Sequence, residues 1–382
     1  MAPSLSSDQQ KVRSERAGIA PAPAKSKHRP ALGRIARAAG LAQTARMIRA
    51  ALIGLGSWGQ HLHRCLGTAS PALRITAVAT RQPDKAAAYA AAHGLRALPD
   101  YAAALADPAI DAVLLATPHS QHGAQIIAAA AAGKHVFSEK PLGVDPAEAE
   151  AAARACAAAG VTLAVGYNWR FQPALARIKA DLADGSLGKV LHVEGNFCGP
   201  SAYRFPRGHW RHADGEGPAG GMTGRGVHVL DAMLHLAGPV AEVTAISRRQ
   251  VQDFGLDDTT AMLFGFQGGA TGTLATIIAT AETWRLQVFG SKGWAEVGGV
   301  EHLPTWELRR CLIDPTDITR KAPPETIRFA ETGTERAELE HFARAAAARR
   351  PLVLPGGDAV HNVAVLAAIL ASARAGRSVR VG

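Results

Sequence analysis

The chain has 382 residues, 47% of them hydrophobic, with a formal net charge of +10 at pH 7. That length favours two domains over one, and the apolar content supplies a full core. Residues 1–46 hold nine Lys/Arg and two acids, so the tail carries 9 − 2 = +7 and the rest of the chain 10 − 7 = +3, which excludes a broad basic face for nucleic acid on the folded part.

Residues 1–46 are rich in Ser, Pro, Ala and basic side chains and contain no aromatic residue. They bury too little apolar surface to offset ordering entropy, and read as a disordered basic tail or a misplaced start. Ala31–Ala45 offers a loose amphipathic helix, and the scarcity of acids would suit a transit segment, but there is neither a twin arginine nor a continuous apolar core. Met47 opens a run that leads straight into a first strand. No apolar stretch approaches the ~18 residues of a membrane span. Cys65, Cys156, Cys198 and Cys311 are widely spaced, with no C-x-x-C, and read as reduced thiols of a cytoplasmic protein.

From Ile48 onward, strand and helix alternate. Strands are expected at Arg49–Gly54, Arg74–Thr80, Ala112–Ala116, His135–Ser138 and Thr162–Gly166. Helices are expected at Trp58–Gly67, Pro83–His93, Tyr101–Ala106, His122–Ala132 and Pro146–Ala159. This rhythm means βαβ units and a doubly wound parallel sheet over residues 47–166. After a helix at Pro173–Ala183 the pattern changes to close strands: Val190–Phe197, Val240–Gln250, Thr259–Phe266, Ala270–Ala279, Arg285–Gly290 and Trp294–Val297. These imply a large, open, mainly antiparallel sheet, with helices at Val227–Leu236, Glu335–Arg349 and Asp358–Ala375, in an α+β domain over residues 167–382.

Gly54-Leu-Gly-Ser-Trp-Gly59 fits G-x-G-x-x-G between the first strand and helix. Gly54 permits the tight turn, Gly56 lets a pyrophosphate approach, and Gly59 lets the helix pack close, with Ser57 and Trp58 at the helix start. The free N–H groups there suit phosphate. The second strand ends in Thr80-Arg81 where an acid would bind the ribose 2′-hydroxyl of NAD. A hydroxyl and a guanidinium suit a 2′-phosphate, so NADP is favoured over NAD. His209-Trp-Arg-His212 lacks a nearby carboxylate or cysteine to complete a metal set, and no metal is expected. The Gly-, Pro- and charge-rich stretch Pro206–Gly221 reads as a mobile loop over a cleft, with Trp210 and Arg211 placed to close on a polyol.

By Ser138-Glu-Lys-Pro141 the chain resembles the glucose–fructose oxidoreductase/inositol dehydrogenase (Gfo/Idh/MocA) family. Further matches are Ala116-Thr-Pro-His-Ser-Gln-His122, Gly166-Tyr-Asn-Trp-Arg-Phe171, Gly185-Ser-Leu-Gly-Lys-Val190, Gly226-Val-His-Val-Leu-Asp231 and Gly376-Arg-Ser-Val379. The resemblance implies a Rossmann domain followed by an open-faced sheet that often mediates oligomers, here a homodimer or homotetramer. It implies hydride transfer between nicotinamide and a sugar, cyclitol or similar carbinol. It aligns Lys140 with the family's active-site lysine and His228 with its catalytic histidine. Glu139, Thr117, Pro118 and His122 align with the nicotinamide-side ribose segment, and Asn168 and Arg170 with the segment entering the cleft. Many members carry Asp four residues before the histidine; here that position is Gly224. Thr223 and Arg225 are candidates for part of its role, and Asp231 is placed to orient the imidazole if the segment is helical. Imidazole is the side chain best suited to proton transfer near neutral pH, and an ammonium stabilises a developing alkoxide. Two other readings stay open: a redox-assisted glycosidase or lyase that keeps its cofactor bound, and a non-catalytic cofactor sensor. The substrate, the reaction direction and the nativeness of residues 1–46 stay open as well.

Overall fold

The computed structural model describes residues 46–213, 215–350 and 358–382. The reading of residues 1–45 therefore lies outside the described residues.

The first sheet is built from β1 (Ile48–Ile53), β2 (Leu73–Ala79), β3 (Arg96–Ala97), β4 (Ala112–Leu115), β5 (His135–Ser138) and β6 (Leu163–Val165). All pairs are parallel, in the order β3-β2-β1-β4-β5-β6. β1, β4 and β5 are apolar and buried almost throughout, as strands covered on both faces must be. The intervening helices are α1 (Ser57–Leu66), α2 (Pro83–His93), α3 (Tyr101–Ala106), α4 (His122–Ala131) and α5 (Pro146–Ala158). Their ends follow local chemistry. Proline opens α2 and Gly94 closes it in the left-handed region, while Asp145 caps α5 by accepting the Glu148 N–H at 2.9 Å. The strand order reverses between β1 and β4. A crevice therefore opens there at the carboxyl ends of the strands, the usual ligand position in such sheets.

After α6 (Pro173–Ala183), the second sheet comprises β7 (Val190–Cys198), β8 (Val240–Arg248), β9 (Thr259–Phe266), β10 (Thr271–Ile277), β11 (Thr283–Gly290), β12 (Gly293–Gly299), β13 (Glu307–Leu312), β14 (Glu325–Arg328) and β15 (Val379–Arg380). Its order is β14-β13-β12-β11-β7-β10-β9-β8-β15. Every pair is antiparallel except β7 with β10, because the chain leaves the sheet between them. The short connection α7 (Ser201–Arg204) and the helix α8 (Val227–Ala237) fill that excursion. Alternate residues such as Val193, Val243, Phe264, Leu274, Leu286 and Val297 are buried, and α8 and α10 (Asp358–Ala375) cover that face. The opposite face is open, with Ile246 and Leu263 more than half exposed.

One helix crosses back. α9 (Thr334–Ala347) follows the second sheet in sequence but packs on the first. Its Leu339, Phe342, Ala343 and Ala346 join the core of β1, β2 and α1, and Phe342 sits 5.9 Å from the Phe137 ring.

Candidate active site

A cavity of about 1170 Å³ runs from the Gly54–Gly59 turn to α8. The backbone of the turn needs glycine at two of its three positions. Gly54 has φ +97°, and a Cβ there would meet the Ala116 carbonyl oxygen at 2.4 Å. A Cβ on Gly59 would meet the Gly54 oxygen at 2.1 Å, so only glycine lets α1 sit this close to β1. A Cβ on Gly56 would meet nothing within 4 Å, and no side chain caps α1. The helix N–H groups thus face open space, a cradle that fits a pyrophosphate. Ser57, Trp58, Thr80 and Arg81 line the same cavity. Arg81 is exposed, and its guanidinium has no acid partner among the described residues.

Thr117 and Pro118 follow β4 on the other side of the crevice and also line the cavity. His122 does not. It is fully buried, its Nδ1 2.8 Å from the Pro141 oxygen and its Nε2 3.1 Å from the Thr117 oxygen, and so ties the two turns together. After β5 the chain passes through Glu139, Lys140 and a cis bond to Pro141. Glu139 is buried, with Oε1 out of hydrogen-bond geometry with any described group. An orphaned acceptor beside the turn fits the hydroxyl of a nicotinamide-side ribose.

Lys140 reaches across the cavity and donates to the Gly224 carbonyl oxygen at 2.7 Å. Gly224 lies in a π-helical turn, Met222–Gly226, that runs directly into α8, where His228 stands on the first turn. Both Lys140 and His228 line the cavity. Burial pushes the Lys140 ammonium below its ordinary range, against the pull of Glu139, and pushes the Glu139 carboxyl up. Burial, then the Lys140 charge, hold His228 well below 6.5, so its imidazole is neutral near pH 7. Its ring stacks on Trp169 at 5.5 Å, and its buried Nδ1 has no hydrogen-bond partner among the described residues.

The remaining residues named from the sequence divide into two groups. Trp210, Arg211, Thr223 and Arg225 line the cavity; Asn168, Arg170 and Asp231 do not. Arg170 donates to Asp231 from Nε at 2.8 Å and Nη2 at 2.7 Å, and both side chains are buried. This pair fastens the single turn Asn168–Phe171, with Trp169, to α8 beneath His228. Asn168 donates instead to Glu335 of α9, at 3.3 Å. Thr223 donates to the Pro218 oxygen at 2.6 Å, and Arg225 to Glu282 at 2.6 Å. The 206–221 segment spans the crevice: His119 Nδ1 lies 2.8 Å from the Glu216 oxygen, the Glu216 carboxylate accepts from Ser120, and Trp210 lies edge-on to His119.

Several cavity groups carry no local sequence signal. His302 lines the cavity, accepts at Nδ1 from Trp169 Nε1 at 3.1 Å, and is lowered to about 4 by burial. Glu282 comes from the β10–β11 connection. Behind Lys140, Glu338 of α9 is buried with neither carboxylate oxygen hydrogen-bonded among the described residues. Its burial, then Glu139 and Glu335, raise it well above the ordinary carboxylate value. His61, 3.3 Å from Cys65 and 3.4 Å from Glu335, joins α1 to α9.

Residues 48–167 match the model of the oxidoreductase family with an NAD-binding Rossmann fold, and residues 175–296 match the GFO/IDH/MocA C-terminal domain. The chain belongs to the Gfo/Idh/MocA oxidoreductase family. It is 29% identical over 344 residues to the scyllo-inositol 2-dehydrogenase (NAD(+)) of Bacillus subtilis strain 168, covering 87% of this chain and 96% of that one. It is 30% identical over 228 residues to the trans-1,2-dihydrobenzene-1,2-diol dehydrogenase of Sus scrofa, a match spanning 59% of this chain and just 66% of that enzyme. Among solved structures, the aldose-aldose oxidoreductase of Caulobacter crescentus in complex with glycerol superposes with a TM-score of 0.75 at 26% identity, covering 88% of this chain and 100% of that one. Levoglucosan dehydrogenase with NADH and L-sorbose shares the fold, with a TM-score of 0.79 at 23% identity over 88% of this chain and 99% of that one.

Proposed function

We propose that the protein transfers a hydride between NADP(H), or NAD(H), and the carbinol carbon of a sugar, cyclitol or related cyclic alcohol. The observation that supports this best is the meeting of Lys140 and α8 across one cavity that begins at the Gly54–Gly59 turn. In this reading residues 47–166 hold the cofactor and residues 167–382 hold the substrate and the subunit contacts, with α9 returning to brace the cofactor side.

When bound, the nicotinamide supplies the hydride acceptor or donor. The chain's own residues supply the rest. The N–H groups of α1 hold the pyrophosphate, and Thr80 and Arg81 hold a 2′-phosphate. Glu139 accepts from the nearer ribose, with Thr117 and Pro118 beside it. His228, neutral near pH 7, takes the hydroxyl proton as the alcohol is oxidised, and Lys140 donates to the same oxygen and stabilises its developing charge. Trp169 and the Arg170–Asp231 pair act at one remove, by fixing α8. Asn168 anchors its segment to α9. Trp210 and Arg211 cover the substrate, while Thr223 shapes the glycine-rich turn and Arg225 is held by Glu282.

The open sheet face around Ile246 and Leu263 supports a homodimer or homotetramer, and four free cysteines suit a cytoplasmic setting. The deciding experiment is turnover of a polyol and carbonyl panel followed at about 340 nm. Cofactor-dependent absorbance change that falls by about 10²–10³-fold in rate in Lys140→Met is expected. Net substrate conversion without absorbance change would replace this reading by the lyase alternative, and cofactor binding with no conversion by the sensor.

A further inference from the structure

We propose that the substrate carries a carboxylate, which binds between Arg211 and Lys140 where Gly224 leaves no acid; the inference rests on the hydride-transfer reading above. Arg211 stands half-buried in the cavity wall. Its guanidinium carbon lies 4.3 Å from the Trp210 ring centroid and 4.9 Å from that of Phe205. Among the described residues its guanidinium has no hydrogen-bond or ion-pair partner. The neighbouring acid, Glu216, is taken up by the Ser120 hydroxyl and N–H.

Arg81 belongs to the cofactor turn, and the two other arginines that line the cavity differ from Arg211. Arg225 has the Glu282 carboxylate at 2.6 Å and the Cys198 oxygen at 3.0 Å, and Arg204 lies 3.8 Å from the same Glu282. Of Arg204, Arg211 and Arg225, Arg211 is the one with no acid partner among the described residues. Arg211 and Lys140 line the same cavity, and the Arg211 charge opposes protonation of Lys140. A guanidinium stays charged under all ordinary conditions, and its planar fork matches the two oxygens of a carboxylate.

The space for that anion is present. A Cβ on Gly224 would meet nothing within 4 Å, and the Gly224 oxygen is the acceptor for Lys140. An acidic side chain at 224 would have put a negative charge beside the ammonium. Glycine puts none there, and the Arg211 charge is left for the substrate to satisfy. The substrate is thus a hydroxylated ring or chain acid, such as a sugar acid or a cyclic hydroxycarboxylate.

The test is calorimetric titration of the NADPH-loaded full chain with matched pairs: D-glucuronate and D-glucose, D-galacturonate and D-galactose, quinate and myo-inositol, plus D-glucose 6-phosphate. At least one acid is expected to bind about tenfold or more tighter than its neutral partner, with a preference that shrinks as salt rises. In Arg211→Gln and in Gly224→Asp that preference should fall to about threefold or less, while Arg211→Lys keeps part of it and NADPH affinity stays the same. Gly224→Asp serves should Arg211→Gln fail to fold. Neutral partners binding as tightly as every acid would overturn the proposal. So would tighter binding of the phosphate, or an Arg211→Gln loss that falls on NADPH. Failure of NADPH itself to bind would strike the hydride-transfer reading instead.

Discussion

Asp231→Ala isolates the buried pair that holds the floor of the site. The Asp231 side chain is fully buried and that of Arg170 is 5% exposed, with two charge-assisted bonds of 2.7 and 2.8 Å between them. Removing the acid takes both of these bonds from a guanidinium held in the core, which costs about 3–5 kcal/mol. At an m-value of about 3 kcal/mol/M, the urea midpoint then falls by about 1–1.7 M. Burying two well-packed apolar side chains removes the half-paired charge as well, so Arg170→Met/Asp231→Leu should recover at least half of the loss. The assay is urea unfolding followed by Trp fluorescence, with the single and double variants run beside the parent. The double variant should still turn over slowly, because Trp169 and His228 stack on the segments that the pair joins. A loss below about 1 kcal/mol in Asp231→Ala, or a double variant no better than the single, would refute the assignment of this pair as the clamp.

Arg81→Ala should weaken NADPH binding by about 10–100-fold, the worth of one charged hydrogen-bonding contact, and leave NADH unchanged; equal losses in a fluorescence titration would remove the 2′-phosphate assignment. Lys140→Met should lower kcat by about 10²–10³-fold with NADPH affinity held within a few-fold, and a kcat within tenfold of the parent would contradict its role. The folded Lys140 pKa is lowered, so its ammonium is present below that value and lost above it. Alcohol oxidation should therefore fall with rising pH at a midpoint below 10.5, and no limb near 6.5 should come from His228, since burial keeps it neutral there; a decline centred on 10.5 in the rate profile would count against this. Gly56→Val should melt like the parent but bind NADPH at least about tenfold more weakly, whereas Gly59→Val should lower stability outright by driving a side chain into the Gly54 oxygen. Indistinguishable melting curves for the two variants would undo the division of labour between these glycines.

What could be read in the sequence was what local chemistry specifies. The βαβ rhythm, the glycines of the first turn and the Pro and Gly helix ends each act over a few residues, and the structure shows them acting at those positions. Arg96–Ala97 and Val379–Arg380 pair over two residues only, too short for any alternation to register. β13 and β14 carry Arg and Glu on an edge where ion pairs such as Arg328–Glu307, not apolar periodicity, mark the strands. The parallel pairing of β7 with β10 is set by the long excursion between them, and the return of α9 to the first sheet by its Leu339 and Phe342. The same distance effect governs the site. Lys140 and Glu139 follow a recognisable strand, but His302, Glu282 and Glu338 reach the cavity region through tertiary packing and leave no motif. Asp231 falls one helical turn from His228, so spacing suggested the imidazole as its partner, while burial beside Arg170 gives it a guanidinium.

The most direct test of the account is titration of the purified chain with NADPH and NADH, followed by quenching of Trp fluorescence. Trp58 stands in the wall of the cofactor cavity and reports occupancy there. The account predicts saturable binding of one dinucleotide per chain, weakened at least about tenfold in Gly56→Val. Absence of quenching by either dinucleotide, or quenching that survives Gly56→Val unchanged, would contradict it.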